Sequence, residues 1–202
     1  DRLFHVDPEF PEADVVIRLG QALVSKSLGK WIEKSGSEVI QIGFGELRQD
    51  PQFCRTLRLY RTPSQFMEWV RDSNLNWPIS LLQEPLLKEK ILGQKLASFL
   101  ENEDQEPLGL KVVYELSKQI PGSHCVFLSN SMSIRYGEWI WAPVGRQIRV
   151  GGNRGASGID GIVASALGFS KGLDKKLVLV IGDLALLHDL NSLALFKEAK
   201  VS

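Results

Sequence analysis

Apolar and polar positions along the chain predict two blocks of alternating strands and helices. In the first block, short β-rich runs alternate with stretches whose apolar residues recur at helical spacing. Thr62 and Pro63 have the residue types of a helix cap and a first helical position. The predicted strands are 15–19, 39–42 and 56–60, and the predicted helices are 26–34, 63–70 and 79–100.

A polar, acidic segment at 101–107 separates this block from the second one and predicts an interdomain linker. In the second block, the run 177–181 is continuous and β-branched, which is typical of a central parallel strand buried on both faces. A helical pattern resumes after Asp183. The other predicted elements are strands at 125–128 and 147–150 and helices at 110–120 and 162–168. The order of elements predicts an α/β fold with parallel sheets flanked by helices.

Composition narrows the classes of function. The chain has 24 Lys and Arg against 24 Asp and Glu, so no net field favours nucleic acid or anionic lipid. No apolar run approaches the roughly 20 residues of a membrane-spanning helix. The two cysteines are not at metal-ligand spacing, which excludes the usual zinc motifs. We therefore expect neither a nucleic-acid partner nor a membrane.

Three strand ends carry polar or glycine-rich loops, where open parallel sheets bind ligands. These loops are 129–131, 151–161 and 182–183. The middle loop has glycines at every third position from Gly152 to Gly161, which is neither a dinucleotide fingerprint nor a P-loop. Arg154 within it suits recognition of a carboxylate or phosphate. The alternative is a structural ion pair between Arg154 and an acidic neighbour such as Asp160.

Asp183 follows the most apolar strand run after a single glycine. A carboxylate there can bind Mg²⁺ against a diphosphate, because Mg²⁺ prefers oxygen ligands shared with substrate phosphates. The alternative is a helix-capping aspartate. His188 and Asp189 are interpreted as packing or capping residues of the helix that follows Asp183, and Asn191 as a residue of that helix.

Three ordered motifs, at 127–135, 153–161 and 182–191, resemble the MenD family of 2-succinyl-5-enolpyruvyl-6-hydroxy-3-cyclohexene-1-carboxylate synthases. The resemblance covers 108–202 as a diphosphate-binding domain truncated at its C-terminal side. Residues 1–100 resemble the family's central domain, in part, through Ser25-Lys26.

The resemblance implies two incomplete, three-layer Rossmann-like domains of the thiamine-diphosphate-enzyme type. It also implies decarboxylation of 2-oxoglutarate and addition of the succinyl carbanion equivalent to isochorismate, in menaquinone or phylloquinone biosynthesis. The implied cofactors are thiamine diphosphate and Mg²⁺, with Mn²⁺ as an alternative metal. The implied assembly is a homodimer or homotetramer in bacterial cytoplasm or plastid stroma.

The resemblance also implies roles for individual residues. Asp183 would ligate the metal, and Ile159 would be the apolar wedge beneath the cofactor. The residues expected to act on substrate are Ser131, Arg135, Arg154 and Lys26. The residues expected to bind the cofactor are Asn130, Gly158, Ile159, Gly182, Asp183, Leu184 and Ala185.

Two parts of the family's site are expected outside residues 1–202: an asparagine that completes the metal site and a glutamate that activates the cofactor. We therefore expect this chain by itself to be inactive. Two alternatives remain open. One is a non-catalytic nucleotide-binding module of doubly wound type, and the other is a related thiamine-diphosphate decarboxylase of neutral 2-oxo acids. Arg135 and Arg154 disfavour the second, because a neutral substrate offers them no partner.

Overall fold

The computed structural model describes most of the chain, in ranges separated by short gaps. The chain divides into two compact units, Asp1–Leu96 and Ala97–Ser202. Residues 103–107 of the predicted linker lie outside the described residues, so the predicted domain boundary stays a prediction. The described ranges are 13–20, 25–44, 50, 53–74, 83–102, 108–141, 147–154 and 157–197.

The first unit contains a sheet of three parallel strands in the order β1-β2-β3. Its elements are β1 (Val15–Leu19), α1 (Lys26–Ser35), β2 (Glu38–Ile42), β3 (Arg55–Leu59), α2 (Pro63–Asp72) and the start of α3 (Gln83–Glu101). Val39 and Ile42 of the middle strand are fully buried. The described bounds of β1 equal the predicted ones, and those of β2, β3, α1 and α2 differ from them by one or two residues. Residues 79–82 of the predicted third helix lie outside the described part.

Helix α2 begins as its sequence predicts. The Thr62 hydroxyl accepts the Gln65 N–H at 3.1 Å, and the Gln65 side chain accepts the Thr62 N–H at 3.0 Å. Two backbone donors at the helix start are thus satisfied reciprocally, and Pro63 occupies the first turn, where it has no N–H to lose.

The second unit contains a parallel sheet in the order β5-β4-β6. Its elements, after the end of α3, are α4 (Leu108–Gln119), β4 (His124–Leu128), α5 (Met132–Ile140), β5 (Arg149–Gly151), α6 (Ile162–Leu173), β6 (Lys176–Val180), α7 (Asp183–His188) and a 3₁₀ helix (Leu190–Lys197). Both sheets are flanked by helices, which confirms the predicted α/β class.

Strand β4 carries the core of the second unit on both of its faces. Val126 and Leu128 pack against Ile134 of α5, whereas Phe127 packs against Ile162 and Ala166 of α6. Successive side chains of a strand point to opposite faces, so this alternation places one layer of helices on each side of the sheet. The second unit therefore has the predicted three layers.

One prediction for the second unit differs from the described sheet. Among the described strands β6 is not central: β4 lies between β5 and β6, and the β6 side chains from Leu177 to Val180 are half-buried, whereas β4 is buried from Cys125 to Leu128. β6 forms its ladder only with β4 among the described strands. No bounds were predicted for helix α5, although Ser129, Asn130 and Ser131 are residue types that favour a helix start. Within the described residues, no helix is both long and apolar enough to cross a membrane.

Candidate functional site

The carboxyl ends of β4, β5 and β6 lie at one edge of the second sheet, because all three strands are parallel. The Ser129 N–H at the end of β4 donates to the carbonyl of Val180 at the end of β6, with an N···O distance of 2.9 Å. The loops at 129–131 and 182–183 therefore begin side by side. This edge is the place where an open parallel sheet binds its ligands.

Ser131 and Arg135, both predicted to act on substrate, contact one another. Ser131 adopts a φ of 70° and a ψ of −124°, a conformation that costs a non-glycine residue free energy. Arg135 lies one turn into α5 and donates from Nη1 to the Ser131 carbonyl at 2.5 Å. The strained turn thus exposes the Ser131 side chain while α5 holds its backbone.

Arg135 and Arg154 act on the same acidic side chain. Burial raises the pKa of the Glu138 carboxyl above its ordinary value, and the positive charges of Arg154 and Arg135 oppose that rise. Glu138 lies one helical turn after Arg135, whereas Arg154 belongs to the loop after β5. The structure therefore brings the two predicted carboxylate-binding arginines into one electrostatic environment. Sequence reasoning missed Glu138, because its spacing from Arg135 has meaning only on a helix.

The glycine loop contacts the loop after β4 through Asn130. The Asn130 amide donates from Nδ2 to the Gly158 carbonyl at 2.6 Å. Near the start of the loop, a Cβ added to Gly152 would stand 3.0 Å from the carbonyl oxygen of Leu128. Close approach of the two loops explains a glycine at this position. Residues 155–156 lie outside the described part of the loop.

The alternative ion pair between Arg154 and Asp160 is not the one that forms. Asp160 Oδ1 lies 3.2 Å from His188 Nδ1 at the end of α7. This contact joins the loop of Ile159 to the helix that Asp183 begins. Ile159 itself is 41% exposed, an apolar side chain left open at the ligand-binding edge of the sheet.

Asp183 is the first residue of α7 and is exposed. Its Oδ1 accepts the N–H of Leu184 at 2.8 Å, while Gly182 occupies the N-cap position without a side-chain bond. Asp183 thus satisfies a first-turn N–H of α7 from the first helical position, so the alternative of a helix-capping aspartate stays open. Leu184 is exposed, whereas the Ala185 side chain packs on the core cluster around Phe127, so Ala185 could line a ligand only through its backbone.

Asp189 caps a different helix from the one its position in the sequence suggested. Its Oδ2 accepts the N–H of Val163 in the first turn of α6 at 2.7 Å, and the Gly161 N–H also donates to this carboxylate. Asp189 is only 8% exposed. Burial alone would raise its pKa, but hydrogen bonds from Ser192, Val163 and Gly161, with the charge of His188, lower the pKa below its usual value. Asn191 lies in a helix, as predicted, although of the 3₁₀ type.

Lys26 belongs to the first unit, where it is the exposed first residue of α1. Ser25 caps this helix by accepting the Leu28 N–H at 3.0 Å. The predicted Ser25-Lys26 pair thus consists of a structural serine and a lysine that extends into solvent. Residues 21–24, directly before the pair, lie outside the described residues.

Asp183 at the edge of the second sheet is one oxygen ligand of the kind that a magnesium-bound diphosphate uses. Asp183 offers an exposed hard oxygen ligand, and no described atom lies within 4 Å of where a Cβ at Gly182 would point. Ile159 adds an exposed apolar surface for an organic ring system. Among the described residues, no group of three His, Cys, Asp or Glu side chains converges to form a metal centre.

No family model matches the chain, but curated proteins do. It is 32% identical over 204 residues to the 2-succinyl-5-enolpyruvyl-6-hydroxy-3-cyclohexene-1-carboxylate synthase of Psychromonas ingrahamii, covering 97% of this chain and 34% of that protein. The corresponding synthase of Rubrobacter xylanophilus is 34% identical over 193 residues, covering 91% and 32%. Protein PHYLLO, chloroplastic, of Arabidopsis thaliana is 34% identical over 204 residues, covering 93% and 12%.

The chain belongs to the MenD family. It spans about a third of the length of the synthases it matches. The match to the Psychromonas synthase covers nearly the whole chain, so it includes the first unit as well as the three motifs of the second. The roles of the individual site residues stay predictions.

Proposed function

We propose that the protein containing this chain is a thiamine-diphosphate- and Mg²⁺-dependent synthase. It decarboxylates 2-oxoglutarate and joins the remaining four-carbon unit to isochorismate, as the resemblance to the MenD family implies. The printed name of its relatives supports a synthase whose product carries a succinyl group. The observation that carries the proposal is the placement of Arg135, Arg154 and Asp183 on the segments that follow β4, β5 and β6, whose carboxyl ends lie at one edge of the second sheet. Both substrates are anionic, so forked cations fit their carboxylates.

Different residues of the chain would bind the metal, the diphosphate and the organic part of the cofactor. Asp183 would hold the metal, with Gly182, Leu184 and Ala185 beside the diphosphate. Asn130, Gly158 and Ile159 would support the organic part of the cofactor, which supplies the electron sink for decarboxylation when bound.

The residues proposed to bind and orient the substrate carboxylates are Ser131, Arg135, Arg154 and Lys26. Positioning of the substrates lowers the activation barrier of the reaction.

A homodimer or homotetramer in bacterial cytoplasm or plastid stroma is part of the proposal. Mn²⁺ would substitute for Mg²⁺ at the same oxygen ligand.

The direct test uses the full-length protein with 2-oxoglutarate and isochorismate, with and without thiamine diphosphate and Mg²⁺. We expect the adduct only when both cofactors are present, and we expect Asp183→Asn to lose most of the activity. Asp174→Asn is the matched control, because Asp174 is exposed at the opposite edge of the sheet, directly before β6. Equal activity of wild type and Asp183→Asn would contradict the assigned metal role.

The same protein distinguishes the alternatives. A neutral 2-oxo acid turned over faster than 2-oxoglutarate would favour the related decarboxylase. Binding of NAD(P) or a mononucleotide more tightly than thiamine diphosphate, measured by calorimetry, would favour the nucleotide-binding module.

A further inference from the structure

One buried carboxylate connects the two segments that the proposed function assigns to the cofactor. Helix α6 begins at Gly161, which has a φ of 64° and provides no side-chain cap. Asp189, 26 positions after Val163 in the sequence, takes over the role of the cap: it accepts the N–H of Val163 at 2.7 Å and the N–H of Gly161. The start of α6 therefore depends on a residue from the far end of α7.

Asp189 joins the start of α6 to the end of α7, and both helices adjoin residues of the candidate site. Gly161 and Val163 follow Ile159 in the chain, and Asp183 begins the helix that ends just before Asp189. Helix α7 is a single short helix about 9 Å long, so its two ends move together. A displacement of Asp189 relative to α6 would change the separation of Asp183 and Ile159.

The donors around Asp189 favour a carboxylate over an amide. Ser192 donates its hydroxyl to Oδ1 at 2.6 Å, while the Val163 N–H of α6 donates to Oδ2. An asparagine has the same shape, but its NH₂ group would contact Ser192 only if that hydroxyl turned to accept, and the negative charge that strengthens both bonds would be lost. The second contact between the segments, His188 with Asp160, is mostly solvent-exposed and contributes less.

We propose that Asp189 is a positioning residue of the cofactor site, which sets the separation of Asp183 and Ile159 by capping α6 from the end of α7. The inference rests on the proposed function, since it assumes that these two residues share one ligand. Asp189 itself touches neither cofactor nor substrate in this proposal.

The test compares Asp189→Asn with Thr62→Ala in the full-length protein. Thr62→Ala also removes a helix cap, but in the first unit, so it matches the type of structural loss. Two measurements are made: amide hydrogen exchange of 157–163 and 182–188 without ligand, and the Kd for thiamine diphosphate with Mg²⁺ by calorimetry.

We expect Asp189→Asn to accelerate exchange in both segments and to raise the Kd about tenfold or more, as the loss of charge-assisted buried hydrogen bonds predicts. The KM for 2-oxoglutarate at saturating cofactor should not change. Thr62→Ala should leave exchange in these segments and the Kd unchanged. Ser192→Ala, which removes one donor and keeps the α6 bonds, should raise the Kd by a smaller factor and serves if Asp189→Asn does not fold.

A lower melting temperature of Asp189→Asn with an unchanged Kd would overturn the inference and leave Asp189 as a structural cap only. Failure of the wild-type protein to bind thiamine diphosphate with Mg²⁺ would instead overturn the proposed function. The two failures are therefore distinguishable in one set of titrations.

Discussion

At the scale of single residues, two carboxylates near the candidate site have pKa values that are shifted in opposite directions. Glu138 has a raised pKa because burial outweighs the attraction of Arg154 and Arg135. Asp189 has a lowered pKa because three hydrogen-bond donors and His188 outweigh its burial. For Asp189 the hydrogen bonds and His188 thus prevail over burial, whereas for Glu138 the two arginine charges do not. The two residues should affect stability with opposite dependence on pH.

Asp189→Asn should destabilise the protein at neutral pH by about 1.5–3 kcal/mol, since it removes hydrogen bonds to a buried charged group. The folded-state pKa lies below the unfolded value of about 4, so the stability from Asp189 is fully present above that pH. It is lost as the pH falls through the folded-state pKa. Urea unfolding at pH values from about 3 to about 7, a range that spans these pKa values, measures the difference in free energy of unfolding between wild type and Asp189→Asn. A constant difference across this range would contradict the linkage.

Glu138→Gln should show the reverse dependence. The folded state binds the Glu138 proton more tightly than the unfolded state, so the ionised group opposes folding as the pH rises above its ordinary pKa of 4.5. The variant should therefore gain stability relative to wild type between acidic and neutral pH, measured by thermal unfolding. Glu84→Gln, on the exposed first turn of α3, is the control and should show no such gain. A relative loss at neutral pH would contradict the expectation.

Many residues of the candidate site can be identified from the sequence by their residue type, but the contacts between them cannot. Arg154 and Asp183 were identified because their chemistry and their place after strands pointed to ligands, whereas Asn130 was identified through the family resemblance. The roles of Glu138 and Asp189 depend on distances between segments that are far apart in sequence. The sequence does not distinguish a buried carboxylate that accepts hydrogen bonds from one on the surface, because burial depends on the tertiary structure.

At the scale of elements, local signals predicted helices and strands well where they acted within a few residues. The Thr62-Pro63 start of α2 and the five residues of β1 are found where the sequence predicts them. Helix α5 was missed because it begins after Ser131, a residue with positive φ and no side-chain cap. β6 was taken as the central strand because apolar runs indicate burial, whereas the order of strands is set by long-range pairing.

Thr62→Ala should lower the free energy of unfolding by about 1 kcal/mol, because it removes one half of the capping box of α2. Ser64→Ala, one residue into the helix and exposed, should change it by less than about 0.5 kcal/mol. Chemical denaturation of the two variants and wild type gives the comparison. Equal effects of both substitutions would show that the cap does not stabilise α2.

At the scale of the whole molecule, the predicted site residues divide unequally between the two units. All of them except Lys26 lie in Ala97–Ser202, where three parallel strands end together. The first unit offers a parallel sheet of similar size with a buried core but only one predicted substrate contact, at the start of α1. This division predicts that a substitution at the Lys26 position of the first unit affects substrate binding but not cofactor binding, whereas the second unit contains residues for both.

Lys26→Ala should raise the KM for an anionic substrate of the full-length protein several-fold, while the Kd for thiamine diphosphate with Mg²⁺ stays unchanged. Asp183→Asn should do the reverse and weaken cofactor binding first, because its carboxylate is the predicted metal ligand. Lys30→Ala is the matched control, since Lys30 is an exposed lysine one turn along the same helix and should leave both constants unchanged. If Lys30→Ala raised the KM as much as Lys26→Ala, the effect would be a general loss of positive charge. Equal weakening of cofactor binding by Lys26→Ala and Asp183→Asn would contradict the division of roles between the units.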